Sequence, residues 1–528
     1  MRKKLSALLL TLVLLAGMIA PAWPSTLNAL PHWPDEAIYG VCNLDKPHEI
    51  AKRIADSFLF KAMALIEPDL EIAGNWLRQF PVVSASVALG MGNAGFSLQG
   101  AVKFVDGKKE ILDRIALGKG REEDVEALIN SPVPGQLKLV PFEGSVYSVV
   151  AGGMSLVLVS VDQDMVLLGF TPEDIAAARE ALNDGGKRME LDRRLPQGSF
   201  FYFHDNGMAA SELQAESDGF LKDPAGNLVA ELGLDVSEHR FDLSVFTNFV
   251  KIFSLDSGSV SEPLAMGDRV LLGGGRPWLA LMGKIFLEKR HFDSMKEAGG
   301  EDYEMAMMAA KQFGFDEDAI LKLLRAAGVV FGGQANLFGS PIPGGYMYIS
   351  GEPREAQLLV PLMEMAARES GMPLEAVAKE GWAAFYTMRE PVDFVMGIKG
   401  GLVVAGLLNP DSMDAAPELS GRLKTLYDNG GLKGFLHFDA KVLRDYLLPM
   451  LDPEGTLAPF LTDDDDFVEG IPFILQGVKA ALEFRSLDIT GAGLERADFT
   501  VITEDVKQED VDAISALAEK WAKIAGEK

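Results

Sequence analysis

Several residue groupings along this 528-residue chain have types and spacings that touch on chemistry. Gly90-Met91-Gly92-Asn93-Ala94-Gly95 matches the G-x-G-x-x-G spacing of a dinucleotide-binding turn. That chemistry needs a strand before the glycines and a helix N-terminus after them, where backbone N–H groups meet a pyrophosphate. Here Phe96-Ser97-Leu98-Gln99-Gly100-Ala101-Val102 follows, alternating as a strand does, so the glycines read as a hairpin turn. His48-Glu49-Ile50-Ala51-Lys52 is the first half of H-E-x-x-H. A zinc site needs the second histidine one helical turn on, and Lys52 stands there. His48 and Glu49 read instead as the start of a solvated helix. Asp463–Asp466 places four acids in a row without the spaced oxygens and turn glycine of a calcium loop, and reads as a solvated loop. Cys42 lies in the apolar stretch Ala37–Leu44 and reads as a small buried hydrophobe, with no base nominated to activate it. G-x-S-x-G, S-x-x-K and P-loop spacings are absent. Carboxylates abound, but no pair is singled out as an acid and a base. No catalytic, cofactor-binding or metal-ligating residue is assigned, no cofactor is expected, and ligand-binding residues are unknown at this level.

Composition narrows the classes further. Apolar residues make up 48% and charged residues 24%, an ordinary globular balance that excludes collagen-like, coiled-coil and wholly disordered chains. Lys+Arg number 49 against 77 Asp+Glu, a formal net charge of -28. Such a surface repels phosphate backbones and anionic lipid, so nucleic acid is not an expected partner. A single cysteine rules out an intrachain disulfide, and six histidines leave little material for histidine metal sites. The N-terminus reads as an address. A basic start, Met1-Arg2-Lys3-Lys4, leads into the apolar run Leu5–Ala20 and an Ala20-Pro21-Ala22 cleavage signature. Residues 1–22 are therefore expected to be a secretory signal peptide. The apolar run is short for a bilayer span of about 20 residues, and no cysteine follows it to carry a lipid. Cleavage removes three basic residues and no acid, so -28 becomes -31. The mature chain is expected in the periplasm or outside the cell, with no membrane span.

The elements that must position any site appear in two similar series. Ser254–Asp268 is rich in Ser, Gly, Asp and Pro without periodicity, and reads as a linker between residues 35–253 and residues 269–528. Each half opens on a short apolar strand, Ala37–Leu44 or Trp278–Met282. In the first half Ile50, Ile54, Phe58, Ala62 and Leu65 then recur at helical spacing. A short helix runs into a strand at Trp76–Val83 and again at Leu323–Val330, and hairpins are expected to turn at Gly92–Gly95 and Pro341–Gly345. Three-strand meanders follow: Val146–Val150, Ser155–Ser160 and Met165–Gly169, then Ala383–Thr387, Phe394–Ile398 and Leu402–Gly406. Thr171-Pro172 and Asn409-Pro410 each read as a cap plus first-turn proline opening a helix. Aromatic strands then end in Asp205 and in Asp439, the latter an expected N-cap. His204 and His437 sit on these strands one residue apart in the alignment, hence on opposite faces, so they are not expected to form a symmetric pair. Leu234-Asp235-Val236 and Leu487-Asp488-Ile489 are expected in matching terminal hairpins, and Gln508–Ala525 is an expected closing helix. The fold class is α+β: two tandem similar halves, each an antiparallel sheet with packed helices.

Leu30-Pro31 before the first strand, the meander ending in Gly169, the capped helix, and Leu195-Pro196-Gln197-Gly198 before the strand ending in Asp205 together carry a resemblance. Over residues 30–250 the chain resembles a class of exported bacterial proteins of unknown function built as duplicated α+β units. The second half departs from it, lacking the Leu-Pro-x-Gly step before Phe435. The resemblance brings no catalytic residues with it. The function expected is that of an exported, non-enzymatic cell-envelope protein binding an apolar ligand or a protein partner, uncharged or cationic, in a cleft between the halves. The alternatives are a structural or assembly protein without a small ligand, which a flat exposed apolar patch would favour, and a hydrolase using carboxylates that no motif reveals.

Overall fold

The computed structural model describes residues 38–527, apart from 57–59, 61–63, 65–68, 93–94, 106, 130–136, 152, 163–164, 183–193, 196–198, 218–220, 222, 238, 254–261, 456–457, 459–461, 463–464 and 492–494. The signal segment, Leu30-Pro31 and Pro196-Gln197-Gly198 thus lie outside the described residues. The chain divides into two units between Leu255 and Asp256. Both mix helices with an antiparallel sheet, as α+β predicts. Among the described residues no helix is long and apolar enough to cross a membrane.

Among the described residues the first unit has ten strands: β1 (Ile38–Asp45), β2 (Val82–Gly92), β3 (Gly95–Phe104), β4 (Leu137–Glu143), β5 (Val146–Ala151), β6 (Met154–Asp162), β7 (Met165–Gly169), β8 (Ser199–His204), β9 (Val229–Ser237) and β10 (Arg240–Thr247). Their order is β10-β9-β8-β1-β2-β3-β7-β6-β5-β4, every pairing antiparallel. Tyr39, Val41, Ala88, Phe200 and Tyr202 form one core cluster over its centre, and Cys42, Leu44, Ala85 and Leu234 form another. The helix Pro172–Leu182 starts where Thr171-Pro172 predicts. The Thr171 hydroxyl accepts from the Asp174 N–H at 3.2 Å, and the Asp174 carboxylate accepts in return from the N–H groups of Thr171 and Phe170, each at 3.0 Å. This is a capping box with aspartate in the glutamate position.

The second unit has β11 (Leu279–Lys284), β12 (Ala326–Leu337), β13 (Ser340–Ser350), β14 (Glu375–Ala376), β15 (Ala384–Met388), β16 (Phe394–Lys399), β17 (Leu402–Leu407), β18 (Gly434–Asp439), β19 (Phe484–Gly491) and β20 (Arg496–Thr503). Their order is β20-β19-β18-β11-β12-β13-β17-β16-β15-β14, again wholly antiparallel. Asp439 caps the helix Ala440–Met450 as expected, accepting from the Val442 N–H at 3.0 Å. The closing helix runs Gln508–Glu527. Its Trp521 is fully buried and donates from Nε1 to the Leu451 carbonyl at 2.6 Å.

Three expectations in this half need correction. The second hairpin turns at Phe338-Gly339, not at Pro341–Gly345, because Leu337 pairs with Ser340. Both turn residues have positive φ, 49° and 82°, as a two-residue hairpin turn that follows strand twist requires. Asn409-Pro410 opens a turn and no helix. The carbonyls of Met413 and Ala415 accept from the N–H groups of Gly273 and Gly274, at 3.1 and 3.0 Å, so they are taken before a helix could use them. The helix comes later, at Gly421–Asp428, capped by Ser420. The Leu-Asp triplets do fall in matching terminal hairpins, Leu234-Asp235-Val236 in β9 against β10 and Leu487-Asp488-Ile489 in β19 against β20. Asp465 and Asp466 begin the helix Asp465–Ala480, where acids suit the positive end of the helix dipole.

The end of the expected linker is tied down instead of free. Leu264 is buried and its N–H donates to the Leu432 carbonyl at 2.8 Å. From Asp268 to Leu272 the chain is held by tyrosines in place of a strand partner. The Tyr348 hydroxyl donates to the Asp268 carbonyl at 3.0 Å and the Tyr346 hydroxyl to the Val270 carbonyl at 3.2 Å. The Leu272 N–H donates to the Tyr346 oxygen at 2.8 Å, and Tyr427 donates to the Arg269 carbonyl at 3.0 Å.

Candidate binding face

The residues that raised chemical questions in the sequence are dispersed in the structure. Gly92 and Gly95 face each other across the β2–β3 hairpin, with Met91 paired to Phe96, so a strand follows where a nucleotide site needs a helix. His48 lies in the helix Pro47–Asp56, its Nδ1 3.1 Å from the Val82 carbonyl. Cys42 is buried, and burial pushes its thiol up to about 12, which leaves no thiolate to act as a nucleophile. Among the described residues no three His, Cys, Asp or Glu side chains group so as to hold a metal ion.

His437 is different. It is fully buried, with Nδ1 2.6 Å from the Asp488 carboxylate, and the Arg422 Nε donates to the other Asp488 oxygen at 2.5 Å. Its Nε2 meets no partner among the described residues. In the same unit Arg269 is buried and donates to the carbonyls of Leu264, Leu426 and Tyr427. Burial pulls its pKa below the usual arginine value. The same burial pushes Tyr346 and Tyr348 up, so both stay neutral and act only as hydrogen-bonding groups. These side chains look into the main core of the second unit, around Ala280, Met282, Val330, Leu423 and Phe435. They tie the helix Gly421–Asp428 and the segment 264–272 to the sheet.

The other face of the same strands is open. Paired residues in a sheet point to the same side, so the register can be followed strand by strand. Phe499, Ile489, Leu436, Leu281, Val329, Met347, Ala405 and Met396 form one continuous row from β20 to β16. Val501, Leu487, Phe438, Leu279, Phe331, Gly345 and Leu407 form the next. Neither row contains an ionisable side chain. Neighbouring strands stand about 4.8 Å apart, so seven of them make a band of about 29 Å. Leu281 is 44% exposed, Phe331 38%, Met347 63% and Leu407 38%.

Aromatic rings bind part of this band together. The Trp278 ring stacks on Phe331 at 5.3 Å and meets Phe438 edge-on at 6.0 Å, and Phe438 stacks on Phe484 at 5.8 Å. The Phe331 ring lies over Gly345, in the space a side chain there would fill. Beyond the rows Gly283 leaves the peptide surface bare, with nothing within 4 Å of where a Cβ would stand. The helices Glu317–Leu323, Pro353–Gln357 and Val360–Glu369 cover this side of the sheet around Ile349, Ile398, Val403, Ala384, Tyr386 and Met396, the last at the end of the first row. Leu281, Phe331, Met347 and Leu407 lie outside that cover.

The sequence names every residue of this face but not the face itself. Leu279, Leu281, Val329, Phe331 and Met347 read as ordinary strand residues, and only the pairing register shows that they share the uncovered side. No family model matches this chain, and no curated protein or solved structure matches it either.

Proposed function

We propose that this is an exported, non-enzymatic protein of the cell envelope that engages an uncharged or cationic protein partner through the open apolar face of its second unit. The observation that carries the reading is the pair of apolar rows across β20 to β17, with four large side chains left in water. Contiguous apolar surface of this kind is rare on a free monomer and marks interaction sites. Its spread over several strands favours a protein surface over a small molecule, because small ligands are gripped in concave pockets. The net charge of -28 favours partners that are not anionic. Export rests on the basic start, the apolar run and Ala20-Pro21-Ala22, and fits the resemblance to exported duplicated α+β proteins.

Tandem duplication is part of the same proposal. Adding ten to each strand number in the first unit's order reproduces the second unit's order, strand for strand. Superposing residues 38–253 on 269–505 tests it: equivalent helices should fall between equivalent strands, and divergence within the first hundred residues would end the idea.

The binding reading is tested with Leu281→Asp and Met347→Asp together. Both positions are exposed, so folding should persist. Thermal-shift screening of the mature protein against envelope proteins and peptides, lipids and sugars should find stabilisation that the double variant loses. A partner at 100 times its dissociation constant stabilises the fold by about 2.7 kcal/mol. Stabilisation by sugars or lipids alone would replace the protein partner with a small ligand, and glycan or peptide turnover would overturn the non-enzymatic reading.

A further inference from the structure

The helix Lys289–Gln312 carries a second apolar surface that its own unit does not use. Gly300, at φ 48° and ψ -122°, breaks it into two arms. In the second arm Tyr303, Met307 and Ala310 are half-buried and recur at spacings of four and three, so they share the inward side. The Tyr303 hydroxyl donates to Glu317 at 2.9 Å, and Ala310 packs among Phe315, Ala319 and their neighbours. The outward side carries apolar residues as well, set among Glu301, Asp302, Glu304, Lys311 and Gln312. Met305 is 61% and Met308 66% exposed, with Ala306, Ala309 and Phe313 beside them. A surface helix ordinarily turns polar residues outward, and two large methionines held in water among them are surface a partner can bury. Unbranched methionines also let such a surface adapt to varied apolar shapes.

Charge indicates what covers it. Between residues 297 and 313 the acids are Glu297, Glu301, Asp302 and Glu304, all exposed, and the single base is Lys311. We propose that this arm is a docking surface for a cationic amphipathic helix of another protein. The partner's apolar stripe lies on Met305 and Met308, and its lysines or arginines face Glu301, Asp302 and Glu304. A second copy of this chain fits poorly. The arm is about 18 Å long and about 10 Å wide, far short of the ~800 Å² per partner that a stable dimer buries, and two chains of net charge -28 repel.

The probe is a peptide of about 18 residues, leucines on one face and lysines on the other, titrated into the full protein by fluorescence anisotropy. Micromolar binding is expected, weakening as salt screens the acids. Met305→Asp with Met308→Asp should weaken it at least tenfold, while Met305→Leu with Met308→Leu should retain it. Measured in the Leu281→Asp, Met347→Asp background, where the sheet face no longer competes for the peptide, the Met305→Asp, Met308→Asp loss should be just as large, which separates this surface from the sheet face. Equal binding by the Asp pair, or equal affinity for a leucine–glutamate peptide, would overturn the proposal. So would a dimer in sedimentation that the Asp pair dissolves.

Discussion

Tyr348 shows how much one hydroxyl carries in this protein. It donates to the Asp268 carbonyl and receives the Val270 N–H at 3.4 Å, both within the buried anchor of the second unit. Tyr348→Phe keeps the ring and orphans two backbone groups, so about 1–3 kcal/mol should be lost. Urea unfolding should show a lower midpoint at unchanged slope. Asp488 carries a heavier load. Asp488→Ala leaves His437 buried without its acceptor and Arg422 without its carboxylate. About 3 kcal/mol should go, towards the low end for broken buried pairs because Arg422 retains access to water. Asp414 gives a pH-dependent counterpart. Lys399 and Lys379 hold its carboxyl below the ordinary aspartate value. Its contribution is therefore complete above the unfolded value of about 3.9, and fades as pH falls through the lower folded value. The stability gap between the native chain and Asp414→Asn should be small, since the pair is half exposed, and should close below about pH 4 in acid titrations of the melting temperature.

Elements were legible in the sequence where one local signal decided them. Thr171-Pro172 opened a helix because its capping box is complete within four residues. Asn409-Pro410 carried the same opening signal, but the carbonyls that would have continued it are drawn off by Gly273 and Gly274, more than a hundred residues upstream. No local reading detects that competition. The β12–β13 hairpin repeats the lesson. Prolines at Pro341 and Pro343 suggest a turn, yet they sit where β13 pairs with β12 alone, because β17 joins only from Gly345 onward. A proline without an N–H is tolerated on such an edge. The true turn has Phe338 at positive φ, a conformation that sequence propensity disfavours. Gly339→Ala should accordingly cost about 1 kcal/mol, lowering the melting temperature without changing the circular dichroism spectrum.

For the molecule as a whole, the α+β class and the strand inventory could be read from apolar runs and turn residues, missing only the first meander strand β4 and the short β14. The open apolar face could not, because exposure of Leu281 and Met347 depends on which helices happen to cover which rows. Export belongs to this scale too: N-terminal sequencing of the native protein should find a chain beginning just after Ala22, and one still starting at Met1 in the membrane would exclude cleavage. The strand orders have a further consequence, in time and not in space. The central strands β1 and β11 are the first of their units to be synthesised, and each is flanked on one side by a strand made near the unit's end. Tyr39 waits for His204, and Leu279 for Phe438. At about 5–20 residues per second, roughly ten to thirty seconds separate each strand from its late partner. During that interval neither sheet can close, so a nascent chain stalled before residue 430 should remain protease-sensitive throughout its second half, and folding from denaturant should be slow for the chain's stability. A unit whose middle is finished last stays threadable until almost all of that unit exists, which is the condition a chain needs to pass unfolded through a narrow pore.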